Sequence, residues 1–349
     1  MRKTLSFIKR EWAYVVLLAL VSAFTVLLIM TPPDKGGASS GDSAKASASG
    51  AGRVVQNDRE AVEKILASND RLSLVFTLVS LLVIALFLLG VVIDLLLLAS
   101  RRSGAAGGER PRPRAKWGMS DVFKTVILYL FFGYTLLTAE VFLMRAFPVL
   151  KDDNFRMILN TSIMDVLVVT LILRFTVVRY KEKMASLGLS LKNFFRNVYY
   201  GIVAYIAFIP VLVGIIAVLA VVMNLTGYAP RKQPVVDLFL KEQSRPLLLY
   251  TSLFASVAGP VIEELFFRGF MYNAVKRHTG VLWATLITAA SFALLHAHIA
   301  GFLPILALGI LLAHLYERTG TLVSSVTVHV IHNVGMVLLV FLVKKLGVY

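Results

Sequence analysis

The sequence predicts an all-α protein, a polytopic transmembrane bundle of eight to nine helices. Of its 349 residues, 58% are hydrophobic and only 16% are charged, and the mean hydropathy is +0.77. A soluble globular domain has about 45–50% apolar and about 25% charged residues. Apolar stretches of about 18 residues or more also recur along the chain, and each is long enough to cross about 30 Å of hydrocarbon.

Nine apolar stretches are candidate spans, and the eighth is short enough to be re-entrant or tilted. They cover residues 13–30, 72–99, 121–145, 158–178, 198–224, 247–277, 281–299, 302–316 and 322–343. The first is long for a signal-peptide core, and no small-residue cleavage site follows it directly, so we expect a retained signal anchor. A ninth span would put Lys344 and Lys345 outside the cell, which keeps a count of eight open.

Basic residues concentrate before the first span and after the second, fourth and sixth spans. By the positive-inside rule this predicts a multi-pass protein with a cytoplasmic N-terminus, and we expect it in a bacterial inner membrane. The net charge of +16 is dispersed over short loops, which indicates contact with the lipid bilayer and its anionic headgroups rather than with nucleic acid. The absence of cysteine excludes disulfides and a thiol nucleophile. Nothing in the sequence indicates an oligomeric state.

Three segments differ in composition. Residues 1–120 comprise the anchor, a flexible loop rich in Gly, Ala and Ser, and the second span. Residues 121–184 contribute additional transmembrane helices. Residues 185–349 form the third segment, and every residue that we connect with chemistry lies there.

The most informative residues are two adjacent carboxylates and an arginine inside an apolar helix, Glu263, Glu264 and Arg268. Ionisable groups at membrane depth are costly and mark functional sites by default. Glu264 and Arg268 are four residues apart, so they share a helix face and can pair. Glu263 is rotated by about 100° and can face a cavity. A purely structural buried network is the alternative interpretation.

Histidines and an amide follow at wide spacing. His296 is level with Glu263 across a predicted helical hairpin, so contact between the two is possible. His329 and Asn333 are four residues apart on one face of the last span, with His332 close to that face. Imidazole and amide donors side by side can stabilise the oxyanion of an attacked carbonyl. Hydrogen bonding between helices is the alternative role.

These residues resemble three motifs of one family. Glu-Glu-x-x-x-Arg at Glu263–Arg268, Phe-x-x-x-His at Phe292–His296 and His-x-x-x-Asn at His329–Asn333 are similar, in order and helical context, to those of the CPBP (CAAX protease and bacteriocin-processing, or Abi) family. That family includes the type II CAAX prenyl endopeptidases. The resemblance covers about residues 185–345.

The resemblance implies a glutamate-dependent intramembrane endopeptidase without a cofactor. Its substrate would be a peptide or protein with a membrane-associated segment. Glu263, helped by His296, would activate water, and His329 with Asn333 would hold the oxyanion. Glu264 and Arg268 would be the supporting pair.

Two other functions remain open. His296, His329 and a glutamate could form an open His₂Glu zinc site, although the usual His-Glu-x-x-His helix is absent. A non-catalytic scaffold or transporter would instead depend on the other polar residues within spans, which are Asp94, Glu140, Asp165 and Arg174.

Overall fold

The chain is all-helical in the computed structural model, as the composition predicts. The structure describes residues 11–23, 25, 70–101, 115–228, 230 and 233–346. Most of the predicted Gly/Ala/Ser-rich loop and the end of the predicted signal anchor lie outside the described residues. So do the basic N-terminus and the basic loop 102–114.

We number the helices in chain order. Helix α1 is Glu11–Ala23, α2 Asp70–Arg101, α3 Met119–Ala146, α4 Asp153–Leu173, α5 Phe194–Thr226 and α6 Pro234–Lys241. A continuous helical stretch, Arg245–Leu295, breaks only at Gly280 (φ 81°). We call residues 245–279 α7 and residues 281–295 α8. Helix α9 is Phe302–Thr319 and α10 is Val323–Leu346.

Among the described residues, seven helical stretches are long and apolar enough to cross a bilayer. This count is lower than the predicted eight to nine for two reasons. The stretch 245–295 counts once although it holds the predicted sixth and seventh spans, and only residues 11–23 and 25 of the region around the first span are described as helical. The polytopic helical bundle itself is confirmed.

Helices α7 and α8 form the predicted hairpin. The ring of Phe267 on α7 packs edge-on against Phe292 on α8, with ring centroids 5.1 Å apart. Phe267 lies 13 residues before the break at Gly280 and Phe292 lies 12 residues after it, a nearly equal spacing that fits antiparallel neighbours. Helix α9 then packs closely on α8, because Gly309 lies so near Ala289 that an added Cβ would approach its atoms to 3.1 Å.

The backbone of α7 is unusually wide at the predicted site. Wider π-helical turns occupy Phe254–Ala258 and Leu265–Tyr272 on either side of the α-helical segment Gly259–Glu264. Pro260 has no N–H to donate to the preceding turn, which explains a local departure from α-helical bonding there. Such π-bulges are frequent at functional sites.

The two ends of the bundle are tied by polar contacts. At one end the Trp117 indole donates to the carbonyl oxygen of Phe270 (2.9 Å). At the other end Glu242, between α6 and α7, accepts hydrogen bonds from Asn154 Nδ2 (2.8 Å) and from the backbone N–H of Ser244 (2.7 Å). Lys344 of α10 donates to the Glu242 carbonyl oxygen (2.7 Å). These contacts join α4, α6 and α10 around the end of the bundle where α7 begins.

Candidate active site

Glu264 and Arg268 form a completely buried ion pair. The Nη1 atom of Arg268 lies 2.5 Å from Glu264 Oε1, and neither side chain has any exposed surface. The second arm of the guanidinium donates to the Gly309 carbonyl oxygen (3.2 Å). The close approach of α9 thus gives the arginine a second acceptor, and the pairing expected from the four-residue spacing is present.

His329 of α10 lies between the two glutamates. Its Nδ1 atom is 3.1 Å from Glu264 Oε1, and its Nε2 atom is 3.6 Å from Glu263 Oε2. The ring is 2% exposed. A carboxylate paired with arginine cannot donate a hydrogen bond, so the proton between His329 and Glu264 belongs on Nδ1. That assignment leaves Nε2 directed toward Glu263.

The adjacent glutamates occupy different environments, as their rotation on the helix predicts. The side chain of Glu263 is 39% exposed, whereas that of Glu264 is fully buried. Glu263 lines a cavity, and its Oε2 atom accepts no hydrogen bond from any described residue. Glu263 is therefore the carboxylate that a substrate or a water molecule in the cavity can reach.

Phe292 is the aromatic centre of the site. Its ring lies 4.6 Å from the Arg268 guanidinium carbon, and its centroid is 5.5 Å from that of His329 and 4.7 Å from that of His296. The side chain is 1% exposed. The phenylalanine of the Phe-x-x-x-His pattern therefore packs the two histidines and the arginine into one arrangement.

His296 stands at the end of α8, inside the cavity wall. Residues 281–295 extend about 22 Å, which is shorter than the hydrocarbon core, so α8 ends at membrane depth. Non-helical backbone is tolerated at this depth where it lines a cavity. The Nδ1 atom of His296 is 2.8 Å from the Phe292 carbonyl oxygen. No hydrogen bond links His296 to Glu263 within the described part of the chain, although both line the same cavity.

Asn333 and His332 point to different neighbours. Asn333 lines the cavity and donates through Nδ2 to the carbonyl oxygen of Ala255, in the first wide turn of α7 (2.8 Å). His332 is 3.2 Å from the Tyr205 hydroxyl on α5 and is not part of the cavity wall. His332 was expected near the helix face of His329 and Asn333. Its imidazole instead packs against Tyr205 of α5.

The cavity measures about 600 Å³ and is mainly apolar. Its polar lining includes Glu263, His296 and Asn333 together with three threonines, and apolar side chains from α3, α4 and α7 form much of the remaining wall. Two polar residues that we did not assign to the site from the sequence, Tyr129 and Asp165, also line it. In the sequence, Asp165 is identifiable only as a polar residue within a predicted span. Nothing in a single sequence indicates that α4 turns this residue toward α7.

The described residues contain no group of three or more His, Cys, Asp or Glu side chains arranged to hold a metal ion. The zinc alternative requires His296, His329 and a glutamate as ligands. His329 directs both of its ring nitrogens toward glutamates, and the Nδ1 atom of His296 contacts the Phe292 carbonyl oxygen in its own helix.

Comparison with known proteins identifies this part of the chain. Residues 245–335 match the family model described as type II CAAX prenyl endopeptidase Rce1-like. This part of the chain is therefore similar to the type II CAAX prenyl endopeptidases. All six predicted site residues lie within the matched segment, whereas Tyr129 and Asp165 lie outside it.

One curated relative is similar over part of its length. The Putative membrane peptidase YdiL of Bacillus subtilis (strain 168) is 31% identical over 97 residues, which are 28% of this chain and 38% of that protein. The chain thus matches well under half of that relative. No solved structure gives a significant match. Both similarities suggest a membrane peptidase, and the apolar helices make the chain an integral membrane protein.

Proposed function

We propose that this protein is an intramembrane endopeptidase that hydrolyses a peptide bond in a membrane-associated peptide or protein. The observation that carries the proposal is the position of His329 between Glu263 and Glu264, directly behind the glutamate that lines a mainly apolar cavity. All three residues lie in the segment that is similar to CAAX peptidases, and this similarity supports the proposal.

Glu263 is the proposed general base, with His296 as its partner across the cavity. Glu263 accepts a proton from water, and the resulting hydroxide adds to the carbonyl carbon of the scissile bond. The proton is then delivered to the leaving nitrogen as the C–N bond breaks. Glu263 suits this role because its side chain is 39% exposed and lines the cavity, and its buried Oε2 atom accepts no hydrogen bond from the described residues.

His329 and Asn333 are the proposed oxyanion donors. Because Nδ1–H of His329 is committed to Glu264, donation to an oxyanion falls to Nε2 and requires a proton on both ring nitrogens. Asn333 uses one amide hydrogen for Ala255 and retains a second for the oxyanion. Preorganised donors in a water-poor site are the strongest contribution to acyl-transfer catalysis.

Glu264 and Arg268 are the proposed supporting pair. Neither group has exposed surface, so neither can reach substrate. Arg268 balances the charge of Glu264, and Glu264 in turn fixes the ring of His329 through Nδ1. This chain of contacts transmits the position of α7 to the catalytic imidazole of α10.

The apolar wall of the cavity suits a lipid-like or strongly hydrophobic part of a substrate. Prenylated C-terminal peptides, bacteriocin-type leader peptides and membrane anchors cut during surface sorting all have such parts. We further propose a bacterial inner-membrane location, and the distribution of basic loops supports a cytoplasmic N-terminus.

The proposed function is tested by comparing membrane proteomes of cells that express either the wild type or Glu263→Gln at equal levels. Asp94→Asn is the matched control, because Asp94 lies in α2, outside the cavity wall. We expect uncleaved substrates to accumulate with Glu263→Gln and not with Asp94→Asn. Normal processing by Glu263→Gln would contradict the proposed mechanism. If cells that express the wild type had the same membrane proteome as cells lacking the protein, the activity itself would be contradicted.

A further inference from the structure

The charge of the cavity wall is opposite to the charge of the whole chain. The chain has a net charge of +16, yet the described residues that line its cavity include two carboxylates, Glu263 and Asp165, one histidine, and no lysine or arginine. A wall of this kind attracts a cation in a medium where charges are poorly screened.

Asp165 comes from a different part of the chain than the predicted catalytic residues. It lies on α4, in a segment that the family match does not include, and it shares the cavity with Glu263. Its side chain is partly buried and interacts electrostatically with Glu263. Within the described ranges no hydrogen bond or ion pair to Asp165 is formed, so its charge is not balanced by a neighbouring protein group.

The other acidic residues of α3 and α4 are used differently. Glu140 on α3 lies 3.7 Å from Arg156, and Asp153 at the start of α4 also pairs with Arg156. Asp121 accepts a hydrogen bond from Tyr180 and lies 3.4 Å from Arg179. Asp165 differs from these three because it lines the cavity and has no such partner among the residues that the structure describes.

Two carboxylates in one cavity repel each other when both are ionised, and burial adds to the cost. A cationic group between them would remove that repulsion. Glu263 is held near His329, so Asp165 is the carboxylate that remains available to the cation.

We propose that Asp165 is a specificity-determining residue that binds an ammonium or guanidinium group of the substrate. The preferred substrate is then a membrane-associated peptide that carries a basic residue close to the bond that is cut. This inference rests on the proposed peptidase function and adds a substrate class to it. The apolar wall receives the hydrophobic part of the substrate, and Asp165 receives the charge.

The test uses the full-length protein, purified and reconstituted in liposomes, with two sets of quenched fluorescent peptides. The sets have the same hydrophobic sequences and differ only by lysine or its neutral analogue norleucine near the centre. Each peptide is prepared with a free and with an acetylated N-terminus, which separates a side-chain cation from a terminal one. The variants are Asp165→Asn, Asp165→Lys and the matched control Asp94→Asn.

We expect the wild type and Asp94→Asn to prefer the lysine peptides, whether or not they are acetylated. Asp165→Asn should lose about thirtyfold in kcat/KM on lysine peptides, mainly through KM, because a desolvated charge pair has been broken. Its activity on norleucine peptides should change less than about twofold. Asp165→Lys should reverse the preference, so that norleucine peptides are cleaved faster than lysine peptides. Equal cleavage of lysine and norleucine peptides, with both cleaved faster when the N-terminus is free than when it is acetylated, would overturn the side-chain assignment in favour of a terminal amine.

Equal cleavage of lysine and norleucine peptides by the wild type would overturn the inference and leave the peptidase function intact. An equal loss by Asp165→Asn on both sets would also overturn it, since that is the result of a general structural role. Binding of the same peptides is measured separately by fluorescence anisotropy. If the wild type cleaves neither set but binds lysine peptides more tightly in a way that depends on Asp165, the peptidase function fails and the cation site stands.

Discussion

The Nδ1 atom of His329 lies 3.1 Å from Oε1 of Glu264, an oxygen that also contacts Arg268 at 2.5 Å. One carboxylate oxygen therefore connects the guanidinium of α7 to the imidazole of α10. All three side chains are almost completely buried. The site consequently combines an inaccessible charged support with Glu263, the one acidic residue of this network that lines the cavity.

Glu264→Gln and Arg268→Ala should lower stability together with activity, because each leaves a buried partner uncompensated. Breaking a buried ion pair in this way costs about 3–5 kcal/mol. The measurement is the unfolding free energy in detergent or lipid. The control is Asp237→Asn, which removes an exposed pair of the same four-residue spacing, Asp237 with Lys241. An exposed pair contributes at most about 1 kcal/mol. Equal losses for the buried and the exposed pair would contradict the supporting role.

His329→Ala and Asn333→Ala should each reduce kcat by about 10²–10³, the usual cost of one lost oxyanion donor. Substrate binding should change little, because the donors act mainly in the transition state. Single-turnover rates and binding constants measured on the same peptide separate the two effects.

His332→Ala is the control for these two variants. Its imidazole packs against Tyr205 with a ring separation of 6.0 Å and does not line the cavity. It should keep most of the activity. A severe loss with His332→Ala and normal activity with His329→Ala would show that the opposite face of α10 carries the chemistry.

The helix-face relationships within single helices were predictable from sequence. A repeat of 3.6 residues per turn predicts that Glu264 and Arg268 share a helix face and that Glu263 points in a different direction from Glu264. The structure has both features. The contribution of Asp165 was not predictable, because it depends on the rotation of α4 against α7, which two apolar helices do not reveal in sequence.

His296 illustrates a further limit of spacing arguments. Counting residues from the hairpin put it level with Glu263, and both do line one cavity. Spacing does not specify where a side chain at a helix end directs its ring. The Nδ1 atom of His296 meets the carbonyl oxygen of Phe292 in its own last turn. The cooperation of Glu263 and His296 therefore remains a prediction, and it would require a water molecule or the substrate to bridge the two side chains.

Glu242 should make stability depend on pH at the end of the bundle where α7 begins. Hydrogen bonds from the Ser244 backbone N–H and from Asn154 lower the pKa of this carboxyl below its ordinary value, with Lys344 adding to the effect. A carboxyl whose folded pKa is lowered stabilises the fold above its unfolded pKa, near 4.5. It loses that contribution as pH falls through the lower, folded pKa.

Glu242→Gln should therefore be less stable than the wild type at pH 7, and the difference should shrink as pH falls below about 4. Thermal unfolding of both proteins across this range is the measurement. Asp237→Asn, an exposed neighbour on α6, is the control and should show a smaller difference at every pH. A difference that grows on acidification would have the wrong sign for this explanation.

The last prediction separates glutamate chemistry from zinc chemistry. If Glu263 and His296 activate water directly, the purified enzyme should remain active after exhaustive chelation and should contain no stoichiometric zinc by elemental analysis. A zinc site would need His296, His329 and a glutamate to converge within about 2.0–2.2 Å of one point. His329 instead holds Glu264 through Nδ1, and its Nε2 atom lies 3.6 Å from Glu263. Asp165 is not one of the ligands that a zinc site would use. The Asp165→Asn variant is therefore a control, and its metal content should equal that of the wild type. Loss of activity on chelation, with recovery by zinc at one ion per chain and not by magnesium, would overturn the glutamate mechanism while leaving the peptidase function in place.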